Sequence, residues 1–201
     1  MPRGLIYISE GNAKLGGIPS LSLPPRTSCP RGIPCRRQCY AKRMEGYRPS
    51  VVATWKRNWK LYKTDPDAYF AQVADWFAAK GINPPRFFRW NTGGDIPDAR
   101  YMAGVLEIAR AFPATRFVLF SKAVELLPSR RNLPANLQII ISMWPGWTPP
   151  KIPRGYRRAW MQDGTENRTP ESAIECPGRC EQCGMCWQLD KVKRDVFFHK
   201  H

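Results

Sequence analysis

The chain has 201 residues, of which 43% are hydrophobic and 12% aromatic, so it can bury a core and lacks the composition of a disordered protein. It carries 32 lysine and arginine residues against 16 acidic ones, and the net charge of +16 favours a polyanionic partner, most often nucleic acid. No apolar run reaches the roughly 18–20 residues of a membrane span, and the apolar stretch after Gly4 is too short for a signal peptide. The sequence therefore predicts a cytoplasmic protein that does not insert into membranes.

The first part of the chain is expected to contain one short strand and two helices. Residues Gly4–Ile8 are predicted as a strand, and Gly11–Gly17 as a tight turn, because the glycine, lysine and hydroxyl arrangement of a phosphate loop is missing. Pro49–Tyr62 predicts an amphipathic helix with Ser50 as N-cap. Its aromatic rings pack into the core or, with the basic residues between them, form a stacking surface for nucleic acid. A second helix is predicted over Asp65–Lys80, with its first residue as N-cap.

The middle of the chain alternates apolar strands with helices. Strands are predicted over Arg86–Trp90, Arg116–Ser121 and Asn136–Met143, with helices over Asp98–Ala111 and Ala123–Leu127. Apolar strands joined by helical crossovers indicate a parallel sheet. We therefore expect an α/β fold with a partial (β/α) barrel-like parallel sheet, and cysteine-rich metal-binding loops towards the two ends of the chain.

Polar residues follow the three predicted strands at the edge where α/β folds bind ligands. Because the first cysteines also follow a predicted strand, we expect all of these residues to lie close together at this edge of the sheet. The candidate catalytic residues are Asp95 and Lys122, and the candidate cofactor-binding residues are Asn91, Gly93, Gly94, Asp95 and Ser142.

The last quarter of the chain is predicted to be less regular. Residues 145–175 are polar, and three arginines, at 154, 157 and 158, surround Tyr156 and Trp160. Such a loop suits a phosphate backbone, or it is simply solvated. We expect residues 1–150 to form the α/β core with the first cysteine cluster, and residues 151–201 to form a basic loop and a C-terminal cysteine cluster packed on that core.

All seven cysteines fall into two short runs, which is typical of a metal site in a reducing compartment. The C-terminal run places four thiols in eleven residues, enough for a [4Fe–4S] cluster or a tetrahedral zinc site, and its spacing favours iron. The ligands of this run are Cys176, Cys180, Cys183 and Cys186.

The N-terminal run has three thiols, Cys29, Cys35 and Cys39. A cubane cluster held by three cysteines leaves one iron open to a substrate or cofactor. Two other arrangements stay open: a single site that draws cysteines from both runs, or a fourth ligand to the first run from His199, His201 or Asp95.

The ordered motifs resemble those of a phage family called gene product eighty-eight. They are the Asn-Ala-Lys-Leu-Gly stretch after Gly11, the Cys-Tyr-Ala that begins at Cys39, the Phe-Arg-Trp-Asn-Thr-Gly-Gly-Asp-Ile of 88–96 and the Phe-Ser-Lys of 120–122. This resemblance spans most of the chain and implies a phage protein expressed in the host cell.

The layout is also distantly similar to radical S-adenosylmethionine proteins, although their cysteine spacing is x3-x2 and the spacing here is x5-x3. That resemblance implies that the first run holds a [4Fe–4S] cluster, that Gly93-Gly94-Asp95 faces the methionine end of S-adenosylmethionine, and that the second run holds an auxiliary cluster.

Two hypotheses follow. In the first, the protein is an iron–sulfur enzyme with a truncated radical-enzyme-like core that acts on or binds nucleic acid. In the second, non-catalytic [4Fe–4S] or zinc sites stabilise a basic nucleic-acid-binding surface.

Overall fold

Seven strands form one sheet in the computed structural model, which describes residues 4–149, 151–165 and 168–199. Every neighbouring pair is parallel, in the spatial order β1-β2-β3-β4-β5-β7-β6, so β1 and β6 are the two edges of the sheet. The strands are β1 (Ser20–Leu21), β2 (Phe87–Trp90), β3 (Arg116–Ser121), β4 (Leu137–Met143), β5 (Arg157–Gln162), β6 (Ile174–Glu175) and β7 (Val196–His199).

The parallel α/β architecture and the three central strands are confirmed, with the predicted bounds of β2, β3 and β4 correct to within one residue. Two other expectations were wrong. Gly4–Ile8 is not a strand: pairing begins at Ser9, which makes an isolated antiparallel bridge to Ser20. The stretch 145–175 is not irregular throughout, because it contains β5 and β6. The barrel-like curvature and the division at residue 150 stay predictions.

The described residues form six α-helices, which differ greatly in length. The three long ones are α2 (Pro49–Thr64), α3 (Pro66–Ala78) and α4 (Ala99–Ala111), and the three short ones are α1 (Tyr40–Arg43), α5 (Cys180–Cys183) and α6 (Leu189–Val192).

Side-chain caps start two of the long helices. Asp65 Oδ1 accepts a hydrogen bond from Ala68 N at 2.9 Å, as the sequence predicted, and Asp98 Oδ1 accepts one from Tyr101 N at 2.9 Å. Ser50 is not an N-cap, because the rigid φ of Pro49 suits the first helical position, so the helix begins two residues earlier than a cap at Ser50 implies. The predicted helix at Ala123–Leu127 is a single 3₁₀ turn.

The two faces of the sheet pack against different layers. Helices α2, α3 and α4 cover one face, here called the helix face, where Phe88, Trp90, Phe117, Leu119, Ile139 and Ile141 are buried. The opposite face, here called the cysteine face, carries Phe87, Val118, Ile140 and Ala159, and it packs against Cys180, Trp187 and Leu189. The alternation follows from the two-residue period of a strand.

Helix α2 presents its aromatic residues to the core, which favours the core interpretation of that helix. Trp55 and Tyr62 are buried, while the basic residues between them are exposed. Within the described residues, no helix combines the length and the apolarity that crossing a membrane requires.

The close packing of α3 on α4 leads to a test of the helix face. Alanine inside a helix is normally more stable than glycine by about 0.5–1 kcal/mol. At Gly104 of α4, however, a Cβ atom would lie 2.3 Å from Cε2 of Phe70 in α3. We expect Gly104→Ala to lower the free energy of unfolding in urea by about 1–3 kcal/mol through overpacking. In a Phe70→Leu background the same change should be neutral or stabilising, and equal losses in both backgrounds would contradict this packing.

Candidate metal centre and strand-end site

The first cysteine run forms a loop that leaves the carboxyl end of β1 and is fixed by two arginines. Arg26 donates from Nε and Nη2 to the carbonyl oxygen of Arg36 at 3.1 and 2.8 Å, and Arg36 Nη1 donates to the carbonyl oxygen of Arg26 at 2.7 Å. These reciprocal bonds close the loop that contains Cys29 and Cys35. Cys39 follows as the residue before α1.

Asp95 is buried at the carboxyl ends of β2 and β3, with 2% of its surface exposed. Its carboxylate accepts hydrogen bonds from Ser121 Oγ at 2.6 Å, from Lys122 N at 2.9 Å and from Ile96 N at 2.8 Å. Burial raises the pKa of Asp95, while the positive charge of Lys122 and these hydrogen bonds oppose the rise. A buried carboxylate held this firmly is a fixed acceptor at the strand ends.

The first thiols lie within electrostatic range of Asp95 and Lys122. Burial raises the pKa of Cys29 to about 12, and the carboxylate of Asp95 adds to the rise. Burial also raises the pKa of Cys35, against the lowering effect of Lys122. Lys122 Nζ lies 5.7 Å from the ring centre of Trp144. The structure thus brings together Cys29, Cys35, Asp95 and Lys122, as the strand-end argument predicted.

Gly93 and Gly94 lie against the base of the cysteine loop. A Cβ atom at Gly94 would be 2.3 Å from Ser28 Oγ, and the residue has φ +79°. At Gly93 the Cβ atom would be 3.1 Å from the Trp55 ring. Gly93 and Gly94 therefore allow the loop after β2 to pack tightly beside Cys29, a structural role that the sequence analysis did not separate from cofactor binding.

Asn91 and Ser142 do not join this group. The side chain of Asn91 contacts the helix layer, where its Oδ1 accepts a hydrogen bond from Tyr101 OH at 2.9 Å. Asn91 Nδ2 is buried without a hydrogen-bond partner among the described residues. Ser142 is buried inside β4, where it pairs with Ala159 of β5. The expected convergence therefore holds for only part of the predicted set.

The four C-terminal thiols line one concave pocket on the cysteine face. Cys176, Cys180, Cys183 and Cys186 share it with Arg179, Gly184 and Trp187, and its volume of about 10 Å³ has room for about one water molecule. The pocket is anchored by Trp187, whose Nε1 donates to the carbonyl oxygen of Phe88 at 2.9 Å. Burial raises the pKa of Cys186 to about 12, so this thiol is protonated at neutral pH without a metal.

Arg89 is the residue that sequence reasoning missed. It lies in β2 two residues after Phe87, its guanidinium sits 4.7 Å from the ring centre of Phe120, and its Nε is buried without a hydrogen-bond partner among the described residues. Its positive charge opposes the raised pKa values of Cys180, Cys186 and Tyr40. In the sequence, Arg89 could have been noticed as a single arginine inside an otherwise apolar strand.

Of the proposed fourth ligands, Asp95 is the one beside the first run. His199 is in β7, where its Nε2 lies 3.3 Å from Glu175 Oε1, and His201 falls outside the described residues. In the described part of the chain, no group of three or more His, Cys, Asp or Glu side chains is arranged to hold a metal ion as it stands.

Chemically, the four-thiol pocket fits a thiolate-bound metal group. Its thiols offer the sulfur donors that iron–sulfur clusters and zinc both accept, and the positive charge of Arg89 acts on two of them, Cys180 and Cys186. Since the pocket is small, the thiol side chains would have to turn to take up such a group, which would couple its binding to the conformation of residues 176–186.

The tight packing of the loop after β2 can be tested with a pair of glycines. Gly94→Ala should lower the free energy of unfolding in urea by about 2–4 kcal/mol, because the left-handed backbone costs about 1 kcal/mol and the overlap with Ser28 costs the rest. Gly32 is the matched control, because it has φ +76° but no heavy atom within 4 Å of its Cβ position. Gly32→Ala should cost only about 1 kcal/mol. Equal losses would show that Gly94 is needed for its backbone conformation alone.

The sequence matches the family model described as Gene product 88 over residues 7–189. It is 27% identical over 127 residues to the Gene 88 protein of Mycobacterium phage D29, a match that covers 58% of this chain and 53% of that protein, about half its length. It is 24% identical over 213 residues to the Gene 88 protein of Mycobacterium phage L5, with 90% and 88% covered. No solved structure matches the chain significantly. Since the family match includes both cysteine runs and the strand-end residues between them, the chain belongs to the Gene product 88 family.

Proposed function

We propose that the chain is an iron–sulfur protein that binds nucleic acid at the carboxyl edge of its sheet. The observation that carries the metal assignment is the half-buried Arg89, whose buried Nε has no hydrogen-bond partner among the described residues. An unpaired buried donor on a cation is costly, and nearby negative charge offsets that cost. A cluster bound by four thiolates at Cys176, Cys180, Cys183 and Cys186 supplies such charge.

The first run has a different role in this proposal. Cys29, Cys35 and Cys39 would hold a second [4Fe–4S] cluster, and such a group with three protein ligands supplies an open iron to a ligand such as S-adenosylmethionine. Asp95 fixes an acceptor beside it, and Lys122 provides a positive charge that binds and orients an anionic group. The radical-enzyme-like character and the partial barrel belong to this proposal.

The nucleic-acid assignment is supported by the charge around the first run. Residues 26–48 contain seven lysines and arginines and one acidic residue, Glu45. Five of these arginines are exposed, namely Arg26, Arg31, Arg37, Arg43 and Arg48. Exposed cations on one loop bind phosphates without reading sequence. A function inside the host cytoplasm agrees with the phage origin of the two relatives.

A second candidate function is a non-catalytic protein whose metal sites stabilise the fold. It is favoured at the C-terminal run, because Cys180 is buried in the same cluster as Val118, Ile140 and Trp187. Four thiolates also close the coordination of a cluster or a zinc ion. We assign this structural role to the C-terminal site and ligand binding to the N-terminal site.

Electron paramagnetic resonance of anaerobically purified, reduced protein tests the metal assignment. We expect cubane signals, one of which shifts when S-adenosylmethionine is added because one iron is open. In Cys39→Ala the shifting signal should be lost while the other persists. In Cys183→Ala, which removes an exposed thiol of the second run, the shift should persist.

The outcomes separate the hypotheses. Signals that never respond to S-adenosylmethionine would favour closed clusters and the structural function. Stoichiometric zinc without iron in the purified protein would overturn the iron–sulfur proposal.

The salt dependence of binding to a duplex of mixed sequence tests the nucleic-acid assignment. Each phosphate contact contributes about 0.9 to the slope of log affinity against log salt. The double change Arg31→Gln and Arg37→Gln should therefore lower that slope by roughly two and weaken binding at low salt.

A charge-matched control uses exposed arginines elsewhere. Arg110 lies in the last turn of α4, and Arg131 lies in the 3₁₀ turn before β4, so both are near the amino ends of strands. Arg110→Gln with Arg131→Gln should leave the slope nearly unchanged. A salt-independent affinity in the unmodified protein would rule out electrostatic binding.

A further inference from the structure

A cavity of about 240 Å³ lies at the β1 edge of the sheet, beside the first cysteine run. Its walls come from the N-terminal segment, from β1, from the first turns of α2 and from the segment that follows Cys39. Nine of its thirteen lining residues carry a hydroxyl or amide group, among them Ser20, Ser22, Ser50, Thr54 and Thr92. The volume is just below the range of about 300–1,000 Å³ that is usual for drug-sized ligands, so it suits one small molecular unit.

The cavity has no charged side chain in its described lining. A phosphate or carboxylate group inside it would therefore lack a counter-charge, which favours a neutral ligand. Hydroxyl groups rotate and both donate and accept hydrogen bonds, so the walls match a ligand with mixed donors and acceptors. Ser20 supports this role, since it is only 2% exposed and lines the cavity.

Aromatic residues complete the walls. Trp55 is buried beneath Gly93, and Tyr40, a residue that is 53% exposed, closes the wall with a hydrogen bond from its hydroxyl to the carbonyl oxygen of Thr92. Ser22 Oγ and Thr92 Oγ1 lie 2.5 Å apart and join the two strands that flank the cavity. Flat rings beside hydrogen-bonding groups are what nucleobases require, because bases stack on aromatic side chains and present polar edges.

Exposed basic residues lie close in sequence to residues that line this neutral cavity. Tyr40 and Met44 line it, and the same segment carries the exposed Arg43 and Arg48. The exposed Lys56 and Arg57 follow along α2, whose first turns form another wall. A neutral, aromatic-walled cavity inside a cationic rim matches a polyanion whose repeating unit has a neutral base, with the phosphates held outside.

We propose that this cavity binds one unpaired nucleoside of a nucleic-acid strand whose phosphates lie on the basic rim. The inference rests on the proposed nucleic-acid binding and names the part of the ligand that enters the protein. Taking a base out of its stack costs least where it is already unpaired, so bulged nucleotides are the preferred ligands. The bound nucleoside then lies beside Tyr40, the residue that follows Cys39.

The test compares two duplexes of the same sequence, one with a single bulged adenosine and one with an abasic site at the same bulge. Both share backbone and shape, so their affinities differ only through the base. The full-length protein should bind the adenosine bulge at least about tenfold more tightly, as expected for stacking one base. Ser50→Trp, which fills the cavity mouth from an exposed position, should abolish this difference and keep the affinity for the abasic duplex.

Ala53→Trp is the matched control, because Ala53 is an exposed residue of the same helix that does not line the cavity. It should keep the tenfold preference. Equal affinities for the two duplexes in the unmodified protein, or a preference that survives in Ser50→Trp, would overturn the cavity assignment while nucleic-acid binding stands. Absence of binding to either duplex would overturn both.

Discussion

The close approach of two loops at the carboxyl ends of β1 and β2 is the constraint on which the site depends. Leu23 N donates to the carbonyl oxygen of Gly93 at 3.0 Å, and Asp95 N donates to Ser28 Oγ at 3.3 Å. No side chain fits at Gly94 between them. Because Cys29 directly follows Ser28 and Asp95 directly follows Gly94, this one contact fixes the first thiol against the buried carboxylate. The cavity depends on it as well, since Thr92 forms part of its wall.

The strands that the sequence predicted are those whose own residues are apolar enough to indicate a buried strand. β3 and β4 are buried along nearly their whole length, so a run of large apolar residues was sufficient. β5 begins with two arginines and is ordered by a distant partner instead. Asp195 accepts hydrogen bonds from Arg158 N at 2.9 Å and from Trp160 Nε1 at 3.0 Å. A contact across more than thirty residues leaves no local signal, and the same holds for the two residues of β6.

The residues of the candidate site also fall into those that the sequence placed correctly and those that it did not. Asp95 and Lys122 were predictable beside the first cysteines, because parallel strands bring their carboxyl ends to one edge. That rule does not say which face a side chain takes. Asn91 bonds to Tyr101 on the helix face, and Ser142 is enclosed within the sheet, so neither reaches the first cysteine run. Arg89 was missed for the converse reason: its importance comes from a C-terminal segment that folds back over the cysteine face ninety residues later.

The positively charged residues of the chain also differ in their roles. Arg26 and Arg36 donate to backbone carbonyls and stabilise the cysteine loop. Arg89 is partly buried beside thiols, where its charge acts on them in a low-dielectric environment rather than on a partner in water. Only the exposed cations, such as Arg31 and Arg37, are available to phosphates. A net charge of +16 therefore overstates the positive charge that is available to a partner in solution. In the binding mode that we propose, exposed cations hold the phosphates outside while a neutral base enters the cavity, because a cation inside the cavity would attract the backbone instead.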